Sequence, residues 1–358
     1  MRKNPMLAIF TTVFIDLLGF GILIPVFPLL ITDGPFRVTP DGWSFTQGMI
    51  MLGWLQAIYP FCMFIAAPIL GQLSDRHGRR PVLALSIFGT AIGYVLFAIG
   101  ISTGNLPLLF AARGLDGLTG GNLAVAQAAI GDISTHENRA KNFGYMGAAF
   151  GMGFIVGPYL GGKLSSPSVS FYGLFDTPHW FGATTPFWFA AILALLNCTA
   201  VLTTFPETIK EKFHGGKIRL GQSLNNVVNG FKSDRLRVIL LSSFLFSAGF
   251  TFFTTFFGVY LRNKFSFSSS KIGDYFAIVG LCIALSQGLV VGRVAKKLVD
   301  YKVLKFSMFG TGAMMLVYFL TPTSSSMYLY MVIPFFAIFN GLCMANTSSL
   351  ISRSAEMG

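Results

Sequence analysis

Asp16, Arg113 and Asp116 stand in apolar stretches that hold no other charge. A charged side chain in hydrocarbon costs on the order of 2.5–3.5 kcal/mol on insertion scales, so such groups are paired, hydrated or functional. Arg113 and Asp116 are three residues apart, which places both on one face of a helix, where opposite charges offset each other. Two readings stay open: a structural ion pair, or a proton-relay element in which a conformational change frees Asp116 from Arg113. Asp16 has no charged neighbour in sequence and should lean on a polar cavity or on Arg113 across a bundle. Desolvation disfavours the charged form of a carboxyl, which suits a group that loads and releases a proton in each cycle. These three residues are the proton-coupling candidates.

A second constellation joins two apolar stretches: Gly71, Leu73, Asp75, Arg76, Gly78, Arg79 and Arg80. Glycines at both ends permit a tight turn with close helix approach. Asp75, set among three arginines, can pair with Arg79 or face a neighbouring helix N-terminus, where the dipole favours negative charge. A contact of that kind can act as a conformational switch. A third set, Gly144, Gly153, Gly157, Pro158, Gly161 and Gly162, places small residues along one helix face, which lets two helices touch backbone to backbone. The run from Gly157 to Lys163 imitates a phosphate-binding loop, but Leu164 stands where Ser or Thr is required, and the run sits within an apolar stretch.

The elements that carry these residues follow from composition. Hydrophobic residues make up 53% of the 358 and charged residues 11%, whereas soluble domains carry about a quarter of their residues as charges. Apolar runs at about 6–30, 48–71, 82–102, 106–130, 143–164, 184–205, 236–261, 271–292, 304–321 and 326–351 are each long enough to cross a core of about 30 Å as a helix. The fold class is therefore an all-α polytopic membrane protein. With the N-terminus in the cytoplasm, the inner segments hold 20 of the 26 Lys and Arg and the outer ones 5. That bias accounts for the net charge of +12 without nucleic acid, and the basic loops can hold anionic lipid. The first span, with Asp16 at its middle and no small-residue cleavage site, reads as a retained helix. Cys62, Cys198, Cys282 and Cys343 all fall inside spans, which supports neither a disulfide framework nor a metal site.

An internal repeat sets the architecture. Phe14 to Phe20 lies over Phe244 to Phe250, and an offset of 221 pairs Gly71 with Gly292, Leu83 with Leu304, Ser86 with Ser307, Gly89 with Gly310 and Gly120 with Gly341. Gly358 corresponds to position 137 of the first half, so ten spans of a six-plus-six plan are expected here and the last two of twelve are not. A fragment is favoured over a ten-helix variant. The expected division is a six-helix bundle over 1–205, a cytoplasmic linker over 206–235 and a four-helix bundle over 236–358. In the linker, Leu220, Leu224, Val227 and Phe231 recur at helical spacing, as in an interfacial amphipathic helix.

The switch loop resembles the signature loop of the major facilitator superfamily, G-x-L-x-D-R-x-G-R-[RK], at every specified position, and Gly292 with Lys296 and Lys297 is similar to its degenerate second copy. The glycines of the fifth span fit G-x8-G-x3-G-P-x2-G-G, which resembles the antiporter motif of drug/proton exporters. Arg113 and Gly117 resemble the R-x-x-x-G motif of the fourth span. The stretch from Phe14 to Pro28 is similar to the first helix of tetracycline/proton antiporters, with an acid in the place of Asp16. The resemblance implies two pseudo-symmetric bundles rocking about a central cavity, with Gln56, Gln127, Phe253, Phe257, Gln287, Asn340 and Asn346 as lining candidates.

It also implies a proton-coupled exporter of small amphipathic compounds, tetracycline-like or multidrug, acting as a monomer in a bacterial inner membrane. The proton gradient is its energy source and no cofactor is expected. An importer or facilitator of a small metabolite is the alternative, and a non-transporting scaffold or sensor the second. No HExxH, GxSxG or paired catalytic cluster points to an enzyme.

Overall fold

The computed structural model describes residues 5–32, 34–135, 137–171, 175–209, 221, 225, 228–229, 231–232, 234–291, 301–322 and 325–356. Leu220, Leu224 and Val227 of the expected linker helix, and the second loop copy at Gly292, Lys296 and Lys297, lie outside the described residues.

Backbone in hydrocarbon must satisfy its own hydrogen bonds, and the apolar runs accordingly form helices. These are α1 (Pro5–Ile31), α2 (Phe45–His77), α3 (Arg79–Ser102), α4 (Leu106–Thr119), α5 (Asn122–Ile133) and α6 (Arg139–Leu164). After a hairpin of β1 (Ser170–Phe171) and β2 (Phe175–Asp176) come α7 (Thr185–Thr204), α8 (Asp234–Phe265), α9 (Ser269–Ser286), α10 (Tyr301–Leu320) and α11 (Met327–Glu356). Helix α9 continues into a π-helical turn, Gln287–Val291. Ser44 and Gln47 start α2 with a reciprocal capping box, and the Asn105 side chain caps α4.

Among the described residues, nine helices are long and apolar enough to span a membrane. The tenth expected span, 106–130, is the exception. It is not one helix but two, α4 and α5, broken at Gly120–Gly121. Two successive glycines weaken a helix by conformational entropy. Here they also back onto α2: a Cβ on Gly121 would stand 3.0 Å from the Cα of Ala67, and one on Gly120 would stand 3.0 Å from the Tyr59 hydroxyl. The break lies inside protein, which is where irregular backbone at membrane depth is tolerated.

Contacts group the chain into two compact units, Met1–Ser223 with Ser268–Gly273, and Leu224–Phe267 with Asp274–Gly358. The sequence repeat reappears as packing inside each. Gly89 of α3 makes room for Thr119 of α4, and its counterpart Gly310 of α10 makes room for Phe339 of α11. The core of the second unit is aromatic. Phe253 and Phe257 stack at 4.4 Å, and around them lie Tyr275, Tyr318 and Phe336.

In the first unit α1 lies along α6, and the glycine set decides how closely. A Cβ on Gly153 would sit 2.6 Å from that of Leu17, one on Gly157 would sit 2.7 Å from the Leu18 carbonyl and 2.9 Å from the Gly21 Cα, and one on Gly161 would sit 2.6 Å from the Ile22 carbonyl. Gly144 faces nothing within 4 Å among the described residues. Gly157→Ala therefore overpacks α1 and should cost about 1–3 kcal/mol, while Gly144→Ala should be neutral or stabilise by up to about 1 kcal/mol through helix propensity. Thermal unfolding of the two variants in detergent checks this, and equal shifts would contradict the packing.

Candidate functional site: a buried ionic network in the first unit

Helix α4 carries Arg113 and Asp116 into the interior of the first unit, where they are 3% and 5% exposed. Their i, i+3 spacing closes an ion pair, with Arg113 Nη1 3.2 Å from Asp116 Oδ2. Gly93 of α3 allows this approach, since a Cβ there would come within 3.1 Å of the Asp116 Cβ. The guanidinium lies over the Tyr59 ring, 4.5 Å from its centroid, a cation–π contact that eases its desolvation. Arg113 Nη2 donates to Gln56 Oε1 at 3.5 Å. Arg113 Nε, also buried, has no hydrogen-bond partner among the described residues.

Asp16 does not lean on Arg113. Its Oδ1 accepts from Asn122 Nδ2 at 3.0 Å, and Asn122 is the first residue of α5. The helix break is what makes this possible. It turns the chain at Gly120–Gly121 so that α5 starts beside α1, and the N-terminal end of α5 favours negative charge. Asp16 is thus held by a neutral amide and a helix terminus, while Asp116 is held by a cation.

Of the remaining candidates in this unit, Gln56 joins the network, whereas Gln127 is exposed. In the second unit Phe253 and Phe257 are buried in the ring cluster and Gln287 is exposed at the π-helical turn. Asn340 and Asn346 are buried, and both amide atoms of Asn340 lack partners among the described residues. Gly144, Gly153, Gly157, Pro158 and Gly161 all lie on α6, as does Gly162, which approaches the Gly273 Cα of the same unit at 2.9 Å from its would-be Cβ.

The switch loop takes the first of its two expected forms. Asp75 pairs with Arg79 at 2.6 Å, one helical turn away along the chain. Gly78 supplies the turn between α2 and α3 with a φ of 107°, a region that favours glycine. Arg79 also reaches Asp132, at the end of α5, with Nε to Oδ2 at 2.9 Å, and Asp132 accepts from the Thr208 hydroxyl at 3.0 Å. Glu207 then caps α3 from outside: Oε1 accepts from the Arg79 amide at 2.8 Å and Oε2 from the Arg80 amide at 3.3 Å. Arg76 keeps contacts of its own. The spacing of the loop did not point to Asp132 or Glu207 as its partners, nor did the apolar runs point to Tyr59 and Asn122. The Gly-Gly pair just before Asn122 was the one local signal of a break.

The buried pair sets up a test. Asp116→Asn leaves Arg113 buried and unpaired and should cost about 3–5 kcal/mol. Combining it with Arg113→Gln should cost less than the two single changes together, by about 0.5–3 kcal/mol. Thermal unfolding of the four proteins measures that coupling, and strict additivity would show the pair to be energetically idle.

The profile of the Major Facilitator Superfamily matches residues 9–358. The chain is 30% identical over 298 residues to the class H tetracycline resistance protein of Pasteurella multocida, covering 83% of this chain and 68% of that one. It is 28% identical to multidrug resistance protein 1 of Bacillus subtilis over 343 residues, 92% of this chain and 77% of that one. The fold matches the crystal structure of the human organic anion transporter MFSD10 (TETRAN) with a TM-score of 0.65 at 21% identity, covering 97% of this chain and 85% of that one. With its helices, its signature loop and its fourth-span arginine in place, the chain belongs to the Major Facilitator Superfamily.

Proposed function

We propose that this multi-pass membrane transporter exports small amphipathic compounds, tetracycline-like or more varied, in exchange for protons. It would work as a monomer in a bacterial inner membrane, with its N-terminus in the cytoplasm. Alternating access of two bundles is the expected mode for its fold. The observation that carries this reading is the presence of two acids in the interior of the first unit, half-buried Asp16 held by Asn122 and buried Asp116 held by Arg113, which also bonds Gln56. Relatives named for tetracycline and multidrug resistance support export as the direction.

The two acids can each hold a proton, and their surroundings differ. A proton on Asp116 cancels its attraction to Arg113 and, with it, its attraction to a cationic or hydrogen-bond-donating group of the substrate. A proton on Asp16 removes its attraction to the start of α5. Protons entering from outside therefore compete with the substrate contacts and promote its release, and proton loss to the cytoplasm restores the pair. In each cycle at least one proton moves inward as one molecule moves out.

Inside-out vesicles carrying the full-length natural gene product, energised and challenged with a panel of amphipathic drugs that includes tetracycline, should release protons on addition of a substrate. Asp16→Asn should abolish that release with thermal unfolding little changed. Undiminished release in the variant would overturn proton coupling through Asp16, and uptake in the opposite direction would point to an importer.

A further inference from the structure

The two acids are close enough to interact electrostatically, yet among the described residues no hydrogen bond joins them. Asp16 is bonded to Asn122 and Asp116 to Arg113. If both serve one cycle, something must carry the proton between them.

Tyr94 of α3 is placed for that task. It is 5% exposed, and its hydroxyl occupies the space that a side chain at residue 19 would fill. A Cβ built on Gly19 would overlap the Tyr94 oxygen. Gly19 lies one helical turn beyond Asp16, on the same face of α1, so the phenol oxygen is lodged against α1 beside the first acid. The ring of Tyr94 lines a cavity of about 10 Å³ whose wall also includes Asp116, Arg113 and Phe187, roughly the room one water needs. The unpartnered Arg113 Nε is a donor that such a water would satisfy. Tyr94 interacts electrostatically with Asp116, Asp16, Tyr59 and Arg113, which are the titratable groups facing it from α4, α1 and α2. Its hydroxyl forms no hydrogen bond with another described residue, and its proton can rotate about the C–O bond.

The geometry points to Tyr94 as the group that passes a proton between Asp16 and Asp116, an inference that rests on the proton-antiport reading above. The protonated Asp16 carboxyl gives its proton to the Tyr94 oxygen, and Tyr94 gives its own hydroxyl proton to the Asp116 carboxylate, directly or through one water in the cavity. The phenol ends neutral as it began, Asp16 is left as a carboxylate, and Asp116 is left as a carboxylic acid released from Arg113. The glycine at position 19 is then required by the relay, because any side chain there would evict the hydroxyl.

Time-resolved infrared spectroscopy after a pH jump, on the full chain in lipid nanodiscs, tests this without a substrate. The carboxyl bands are assigned with Asp16→Asn and Asp116→Asn. In Tyr94→Phe, which keeps the ring and removes the oxygen, exchange of protonation between the two bands should slow at least about tenfold, while tetracycline counterflow in de-energised vesicles stays within about twofold. Replacing Tyr94 with 3,5-difluorotyrosine, which keeps the oxygen but makes the phenol more acidic, should change the exchange rate and its pH profile. An unchanged rate in both variants would overturn the relay, and equal losses of exchange and counterflow would reduce Tyr94 to a packing role. Proton release that survives both Asp16→Asn and Asp116→Asn would instead overturn the antiport reading. Release lost in those variants but intact in Tyr94→Phe, with unchanged band exchange, would overturn the relay alone.

Discussion

Burial of the Arg113–Asp116 pair is the constraint around which the first unit is arranged. Two charges withdrawn from water repay their desolvation only when the geometry is good and the remaining donors are satisfied. The geometry here is partial. One contact of 3.2 Å joins the two side chains, the bond to Gln56 is at 3.5 Å, and Nε has no partner among the described residues. A pair kept for stability alone would be expected to be bidentate. An incompletely satisfied guanidinium beside a water-sized cavity fits a group whose partner changes during a cycle. The glycines at 93 and 117 and the ring of Tyr59 follow from the same constraint, since each lets another element close around the charge.

The break between α4 and α5 adds a second environment a few residues away. Had the fourth span continued as one helix, Asn122 would not start a new one beside α1. Instead a neutral amide at a helix N-terminus holds Asp16, while a cation holds Asp116. Pairs of titratable groups set in unlike surroundings divide the work of proton binding between them. That division needs both acids to stay within reach of a common intermediary, and the Gly19 notch filled by the Tyr94 hydroxyl supplies one.

Much of this was legible in the sequence, and the parts that were not share a cause. Long apolar runs fix helices because lipid leaves no alternative, and charges inside such runs stand out against their surroundings. The i, i+3 spacing of Arg113 and Asp116 was enough to predict their pairing. The break at Gly120–Gly121 is hidden because the surrounding hydropathy runs on across it. Asp132 and Glu207 are distant in sequence from the loop they bind, and no local pattern encodes such a meeting. Tyr94 and Tyr59 look like ordinary apolar filling until the fold shows what their oxygens and rings face. Phe253 and Phe257 have the same composition signal, and the fold places them in a packed aromatic core. An aromatic residue in a membrane helix is therefore ambiguous until its neighbours are known.

The glycine series of α6 links packing to the site. Gly153, Gly157 and Gly161 bring the backbone of α1 against that of α6 over two turns, from Leu17 to Ile22, immediately after Asp16. Contacts this close leave no room for one helix to slide on the other by a fraction of a turn, since close-packed interfaces switch between discrete arrangements. A change in the charge of Asp16 thus cannot be absorbed by α1 alone. It must either move α1 and α6 as one piece or act through the hydrogen bond to Asn122 and so on α5, whose far end carries Asp132 into the Arg79 cluster. Both routes link the Asp16 site in the interior of the first unit to the Arg79 cluster at the end of α5, so a change at one is felt at the other.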